Sequence, residues 1–192
     1  CDMVWPEAMA GLLNAQIAEP ATESILRRDI PRLTPVGAPS LAVQAQYEEN
    51  PYPRWIRTTV TGTPETLSEH LRNAFPHAEL APFNDAGPEV LIAGCGTGRN
   101  ALETHRALAG ARTLAIDLSL TSLAYAWRKA REAGETDLQF AQADLLNIAA
   151  LGRSFDLIEA SGVLHHLAEP FAGWRALLSV LRPGGVMRLG FY

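Results

Sequence analysis

The chain has 192 residues, of which 47% are hydrophobic and 19% charged, a composition typical of a globular protein with one domain and room for an appendage. Its formal net charge of -5 at pH 7 argues against the basic surface that binds a phosphate backbone, so we expect no nucleic-acid partner. No apolar run approaches the roughly 18 residues of a membrane-spanning helix, and no signal-peptide pattern is present. We therefore expect a cytoplasmic protein without a membrane partner.

The two cysteines, Cys1 and Cys95, do not indicate a disulfide framework, because Cys95 lies inside a glycine-rich turn. A chain that starts at Cys1 is either the mature end of a lipoprotein or a piece of a longer chain. We expect the second.

The first half of the chain is rich in proline: eleven of the 13 prolines precede residue 90, so regular elements should be short there. Short helices are predicted at residues 6–18, 23–28 and 66–75 from the spacing of apolar residues. We expect residues 1–87 to form a helical and partly extended cap.

The second half alternates aliphatic runs with helical patterns, which is typical of βαβ units and a parallel sheet. Strands are predicted at residues 89–93, 112–116, 138–142, 155–160 and 185–191, and helices at about 100–108, 121–133 and 171–181. Ser119 is the expected N-cap of the second of these helices, and Gly134 its C-terminal stop. Pro183 and the two glycines that follow it should end the third.

The stretch VLIAGCGTGRN, residues 90–100, runs from the first of these strands into Gly94, Gly96 and Gly98. Without side chains at these positions, a ligand can approach the backbone closely. The dinucleotide-binding pattern is GxGxxG, and its third glycine would fall at Arg99, so the spacing disfavours a dinucleotide without excluding it. The other cofactor that uses such a turn is S-adenosylmethionine (SAM), which has no phosphate.

Two acids follow the next strands. LAIDLS contains Asp117 at the end of the second predicted strand. Its carboxylate can accept hydrogen bonds from both hydroxyls of an adenosine ribose, at roughly 1.5–3 kcal/mol per charge-assisted bond. QADLLNI contains Asp144, which can accept from an adenine amino group or cap the loop that follows it. Asp117 alone does not choose between the two cofactors.

The motifs VLIAGCGTG, LAIDLS, QADLL, FDLIEASGVLHHL and LRPGGVMRLGFY occur in this order, and through them residues 88–192 resemble a class I SAM-dependent methyltransferase. The resemblance implies a Rossmann-like α/β sheet, with SAM as cofactor and S-adenosylhomocysteine as product. Since the family fold has seven strands, we expect the sheet to be truncated after the fifth. The cofactor-binding residues that it implies are Ala93, Gly94, Cys95, Gly96, Gly98, Asp117, Leu118, Asp144, Leu145 and Ser161.

One position departs from the family pattern. Many members carry an acid where this chain has Ile92, and that acid helps to hold the amino group of SAM. Backbone carbonyls near Ala93 and Ser161, or the N-terminal segment, would have to make this contact instead.

The segment IPRLTPVGAPSLAVQAQYEENPYPRW resembles the region before the methyltransferase domain in bacterial proteins that join it to tetratricopeptide repeats. The resemblance implies such repeats in a longer parent chain. Within the segment, Asn50 and Tyr52 precede prolines, so YEENPYPRW is predicted to be extended and stiff. It is either a lid that offers Tyr47, Asn50 and Tyr52 to the substrate or a strap that packs the N-terminal segment on the sheet.

Methyl transfer makes few catalytic demands, because the sulfonium charge of SAM already activates the methyl group and the protein supplies positioning and desolvation. His165 is the candidate catalytic residue. The side chain of the adjacent His166 should diverge from it, so no metal site is predicted. The predicted function is methyl transfer to an unidentified acceptor, a protein or a small molecule. A catalytically silent SAM-binding or protein-interaction module is the alternative, and an NAD-binding oxidoreductase ranks third.

Overall fold

The computed structural model describes residues 7–58 and 62–191, and within them the chain forms one five-stranded sheet whose strands are all parallel. The strands are β1 (Glu89–Ala93), β2 (Arg112–Asp117), β3 (Gln139–Gln142), β4 (Phe155–Ser161) and β5 (Leu181–Gly190). Their spatial order is β3-β2-β1-β4-β5. The predicted Rossmann-like α/β sheet is confirmed.

Seven α-helices lie in the same described residues. They are α1 (Glu7–Leu13), α2 (Glu19–Asp29), α3 (Leu41–Glu49), α4 (Leu67–Ala74), α5 (Arg99–Ala107), α6 (Leu120–Glu132) and α7 (Pro170–Ser179). A π-helical turn, Asn14–Ala18, joins α1 to α2, and 3-10 turns occur at Ala38–Ser40, Leu145–Leu151 and Leu164–His166. None of the described helices has the length and apolar character needed to cross a membrane. Cys1 and Pro6, the first residue of the first predicted helix, lie outside the described residues.

The sheet separates two apolar layers, because successive side chains of a strand point to opposite faces. Ile92 on β1 belongs to the layer under α5 and α6, together with Leu102 and Leu123. Its neighbour Leu91 belongs to the opposite layer, with Leu177 of α7. β1 to β4 are therefore buried on both faces along most of their length, as parallel strands usually are, whereas the edge strand β5 is half-buried or exposed.

Local signals position α6 as predicted. The Ser119 hydroxyl accepts a hydrogen bond from the backbone N–H of Ser122, and Gly134, at φ +85°, follows the last turn. Both are ordinary helix-capping devices. They place the start of α6 directly beside the carboxyl end of β2.

Two predictions about local structure were wrong. Residues 41–49 form α3, so Tyr47 lies on a helix and only the residues from Asn50 onward are extended. No proline interrupts these nine residues, whereas Pro39 and Pro51 flank them. The last strand begins at Leu181 instead of residue 185, because Leu181 already pairs with Phe155 and a register shift then accommodates the proline and glycines.

Residues 31–55, called the strap below, cross the carboxyl edge of the sheet from β3 to the glycine turn after β1. At one end Leu33 N donates to the Gln142 carbonyl at 2.9 Å, which pairs the strap with the free edge of β3. At the other, the buried Trp55 donates from Nε1 to the Thr97 carbonyl at 2.9 Å. The strap therefore packs the N-terminal half onto the sheet. The division of the chain at residue 88 into a cap and a cofactor-binding domain stays a prediction.

Candidate cofactor-binding and active site

A cavity of about 340 Å³ opens at the carboxyl edge of the sheet, between β1 and β4. From β1 the chain adds β2 and β3 on one side of the sheet, and it then adds β4 and β5 on the other side, so the strand order reverses between β1 and β4. Open α/β sheets bind ligands at such a switch point. The volume falls within the roughly 300–1,000 Å³ of small-molecule sites. The cavity is lined by residues of the strap (Ser40, Val43, Tyr47, Tyr52, Pro53), of the glycine turn and α5 (Gly94, Cys95, Gly96, Thr97, Arg99, Asn100, Glu103), and of the other strand ends and the loops after them (Ile116, Asp117, Leu118, Ala143, Asp144, Leu145, Ser161, Gly162, Val163, His166, Leu167).

The three positions of the turn require glycine for different structural reasons. A Cβ on Gly94 would lie 2.3 Å from a methyl group of Val163, and one on Gly98 would lie 2.4 Å from Cβ of Ala126, so the protein itself needs the close approach at both. Gly96, at φ +53°, would place a Cβ no closer than 3.6 Å to the Tyr52 carbonyl. Gly96 is thus the glycine of the turn at which the backbone has room for an incoming ligand.

Asp117 holds the glycine turn in place and also faces the cavity. Its Oδ2 accepts from Gly96 N at 2.8 Å, and its Oδ1 accepts from Ser119 N at 2.9 Å. Burial raises the pKa of this carboxyl, and the backbone hydrogen bonds oppose that shift. A carboxylate has about four acceptor sites, so Asp117 retains capacity for two further donors.

Asp144 lies at the end of the cavity below the strap. Its Oδ2 accepts from Gly37 N at 3.0 Å, and its Oδ1 accepts from Leu146 N at 3.0 Å, which caps the 3-10 turn Leu145–Leu151. The side chain therefore fastens the strap as well as lining the site. Both of the roles considered from sequence, cap and cavity residue, are compatible with this position.

Cys95 lines the cavity between two of the glycines, and its Sγ lies 3.7 Å from the Gly96 carbonyl oxygen. Burial, followed by the nearby Asp117 carboxylate, raises the pKa of this thiol well above its usual value. A neutral thiol is a poor nucleophile. The position fits a small wall residue of the cavity.

Some of the residues predicted to contact the acceptor line the cavity, and others do not. Tyr47 and Tyr52 line the cavity, as does His166, whose Nε2 lies 3.3 Å from the Tyr47 hydroxyl. Three predicted site residues are absent from the cavity lining that the described residues form: Asn50, His165 and Ala93. Burial, and then the neighbouring His165, lower the pKa of His166, so its imidazole is neutral at pH 7.

The two histidine rings do not diverge as expected. They belong to the 3-10 turn Leu164–His166, and their centroids are 4.2 Å apart. Adjacent residues of such a turn need not point to opposite sides as they do in a strand.

A buried polar group behind the cavity was missed from sequence. Glu159 of β4 is 2% exposed, and its Oε2 accepts from Asn100 Nδ2 and from Thr104 Oγ1, both at 2.9 Å. Asn100 also lines the cavity, so this network fixes the first turn of α5 against β4. The available signal was Glu159 inside the apolar run LIEA, since a buried carboxylate requires partners.

Residues 90–185 match a family model described as a methyltransferase domain. The chain is 40% identical over 106 residues to an uncharacterised protein of Synechococcus, a match that covers 55% of this chain and 25% of the relative. It is 35% identical over 101 residues to a ubiquinone biosynthesis O-methyltransferase of Albidiferax ferrireducens, covering 52% of this chain and 39% of that enzyme. The chain thus spans well under half the length of either relative.

The solved structure of PKMT2 from Rickettsia typhi in complex with AdoHcy is similar in fold, with a TM-score of 0.56 and 23% identity. The match covers 64% of this chain and 24% of that one. At this identity the likeness concerns the fold alone.

Proposed function

We propose that the chain binds SAM in the cavity and transfers the methyl group of SAM to an acceptor. The proposal starts from two facts: the chain belongs to the methyltransferase-domain family, and it has the Rossmann-like fold of class I SAM-dependent methyltransferases. One observation carries the proposal: Gly96 and the Asp117 carboxylate, 2.8 Å apart, face one cavity at the switch point of the sheet. SAM supplies a methyl group that its sulfonium charge has already activated. The residues of the chain bind, orient and exclude water.

On the cofactor side, Asp117 would accept hydrogen bonds from the two ribose hydroxyls through its remaining acceptor sites. Asp144, Leu118 and Leu145 would surround the adenine. Ile92 is buried in the layer under α5 and α6, so the amino group of SAM would be held by backbone carbonyls, among them that of Ser161.

Arg99 stands where a dinucleotide site has its third glycine, and its side chain is 53% exposed and pairs with Glu103 at 2.9 Å. This placement supports SAM over NAD as the ligand.

On the acceptor side, His166 and Tyr47 replace the His165 of the sequence interpretation. A neutral imidazole with Nε2 at the cavity can take a proton from an acceptor hydroxyl, which would displace the Tyr47 hydroxyl as its donor. The name of the Albidiferax ferrireducens relative is that of an O-methyltransferase, which supports an oxygen acceptor. We therefore favour a hydroxyl-bearing small molecule over a protein side chain.

The experiment is to incubate the chain with methyl-labelled SAM and a panel of phenols, catechols, amines and thiols, and to measure S-adenosylhomocysteine. Hydroxyl compounds should be methylated, and His166→Gln should lower that rate by about 10²-fold or more while leaving S-adenosylhomocysteine affinity unchanged. His70→Gln is the matched control, because this half-buried histidine does not line the cavity. SAM binding without turnover on any acceptor would favour the silent module, and absence of SAM binding would overturn the proposal.

The strap supports a narrower assignment. Its sequence resembles the segment that precedes the methyltransferase domain in tetratricopeptide-repeat-linked proteins, and this resemblance supports the proposal that the chain belongs to that group. The test is the coding sequence that flanks this segment, in which repeats of about 34 residues should be found.

A further inference from the structure

The amino edge of the sheet, opposite the cofactor cavity, carries a cluster of three ligand-type side chains. His105 lies in the last turn of α5, and Glu135 and Asp137 lie in the loop between α6 and β3. One His Nε2 and one oxygen from each carboxylate lie within 4.8 Å of one another. The cluster is called the His105 cluster below.

The distances from His105 Nε2 to the two carboxylates are close to the ligand–ligand distances around a tetrahedral metal ion. His105 Nε2 lies 3.3 Å from Asp137 Oδ1 and 3.8 Å from Glu135 Oε2. Ligands at about 2.0–2.2 Å from a tetrahedral Zn²⁺ are separated by about 3.3–3.6 Å. The two distances from His105 Nε2 lie in or close to this range, and the oxygens of the two carboxylates lie within 4.8 Å of each other.

The side chains behind the cluster orient it as outer partners orient metal ligands. His105 is 8% exposed, and its Nδ1 lies 3.1 Å from the hydroxyl of the buried Thr113. When Nδ1 donates to that hydroxyl, the lone pair of Nε2 faces two carboxylates, an arrangement that requires a proton or a cation between them.

The Glu135 carboxylate is positioned in the same way. Arg106 Nε donates to Glu135 Oε1 at 2.7 Å, which leaves Oε2 directed at His105, and Arg106 Nη2 donates to the Ala133 carbonyl at 2.5 Å. Asp137 is 78% exposed, so an ion has a path from solvent. The cluster thus combines two buried or half-buried, oriented ligands with one open side.

We propose that the His105 cluster is a structural site for a Zn²⁺-type divalent cation, with His105 Nε2, Glu135 Oε2 and Asp137 Oδ1 as ligands and water completing the coordination. One imidazole and two carboxylates suit a borderline-soft ion better than Mg²⁺ or Ca²⁺, which prefer oxygen alone. The ion ties the last turn of α5 to the loop between α6 and β3. It lies at the opposite edge from the cavity and takes no part in methyl transfer.

The test is calorimetric titration of the metal-free chain with ZnCl2, repeated with MgCl2, and with CoCl2 followed by its visible d–d absorption. We expect one Zn²⁺ per chain, no response to Mg²⁺, and a Co²⁺ spectrum of low coordination number. Asp137→Asn and Glu135→Gln should each raise the Kd for Zn²⁺ at least tenfold. At Zn²⁺ concentrations near 100 times the Kd, Tm should rise by about 5–10 °C.

A matched control exists in the same chain. Glu65 and His70 form a two-member pair, with Glu65 Oε2 and His70 Nδ1 3.7 Å apart, so Glu65→Gln should leave Zn²⁺ affinity unchanged. Equal Zn²⁺ affinity in the wild type and in Asp137→Asn and Glu135→Gln, or no Zn²⁺ binding, would overturn the proposal and leave the cluster as an ion pair. SAM affinity is independent of either outcome, so failure here is distinguishable from failure of the methyltransferase assignment.

Discussion

Replacement of Asp117 by Ala tests the proposed ribose contact most sharply. The wild-type carboxylate accepts from Gly96 N and Ser119 N at 2.8 and 2.9 Å, and Asp117 lines the cavity. Ala removes all of these at once. Asp117→Asn keeps the shape and one oxygen, so the two variants together separate loss of charge from loss of the turn.

The magnitude follows from the bonds lost. Each bond from a ribose hydroxyl to a carboxylate contributes roughly 1.5–3 kcal/mol. Because water takes up part of the vacated space, we expect Asp117→Ala to weaken S-adenosylhomocysteine binding by about ten- to hundredfold, or about 1.4–2.8 kcal/mol. Asp117→Asn should lose about tenfold.

The assay is calorimetric titration with S-adenosylhomocysteine after circular dichroism has shown that each variant is folded. Asp156→Asn is the control, because Asp156 is also a buried strand aspartate, accepting from Glu89 N at 2.8 Å and from Arg182 Nη1 at 2.6 Å, but lies at the amino end of β4. It should lose stability and keep its affinity within about twofold. A folded Asp117→Ala variant with wild-type affinity would refute the ribose assignment.

Three further predictions concern pH, packing and the strap. Burial raises the pKa of Asp117 above its ordinary 3.8, so lowering the pH should protonate the carboxylate and weaken S-adenosylhomocysteine binding already at pH values above 3.8. Asp117→Asn should abolish this pH dependence in titrations at a series of pH values. Gly98→Ala should lower the free energy of unfolding by about 2–4 kcal/mol in urea, since a Cβ would lie 2.4 Å from an α6 side chain. Gly152→Ala, at φ +60° with nothing within 4 Å, should cost only about 1–2 kcal/mol; equal losses would contradict the packing argument. Glu48→Gln should cost about 1–2 kcal/mol because Glu48 accepts from the backbone N–H groups that begin α6 at 2.8 and 3.2 Å, whereas the exposed Glu49→Gln should be near neutral by the same measurement.

The sheet was predictable because its signals are local. Apolar runs bounded by glycines placed β1 at residues 89–93, where the structure has it, and Ser119 and Gly134 gave the ends of α6 to within one residue. In each case the residue that decides the conformation lies within the element or at its end.

The rest depends on contacts between distant residues. Whether His165 or His166 faces the cavity is decided by the 3-10 turn Leu164–His166, which has no periodicity to read. Asp144 fastens the strap through Gly37, 107 residues away, so its second role is invisible in a local motif. The His105 cluster joins a helix end to a loop about 30 residues later and has no spacing typical of a metal site.

The central claim is that the cavity between β1 and β4 is a SAM site, and parallel calorimetric titrations of the chain with SAM, S-adenosylhomocysteine and NAD test it most directly. Micromolar binding of the first two, with no heat from NAD, is the predicted result. Binding of NAD in preference to SAM would contradict the account. SAM binding that survives Gly96→Val would contradict it too, because Gly96 lines the cavity and is the glycine of the turn where an added Cβ has room toward it.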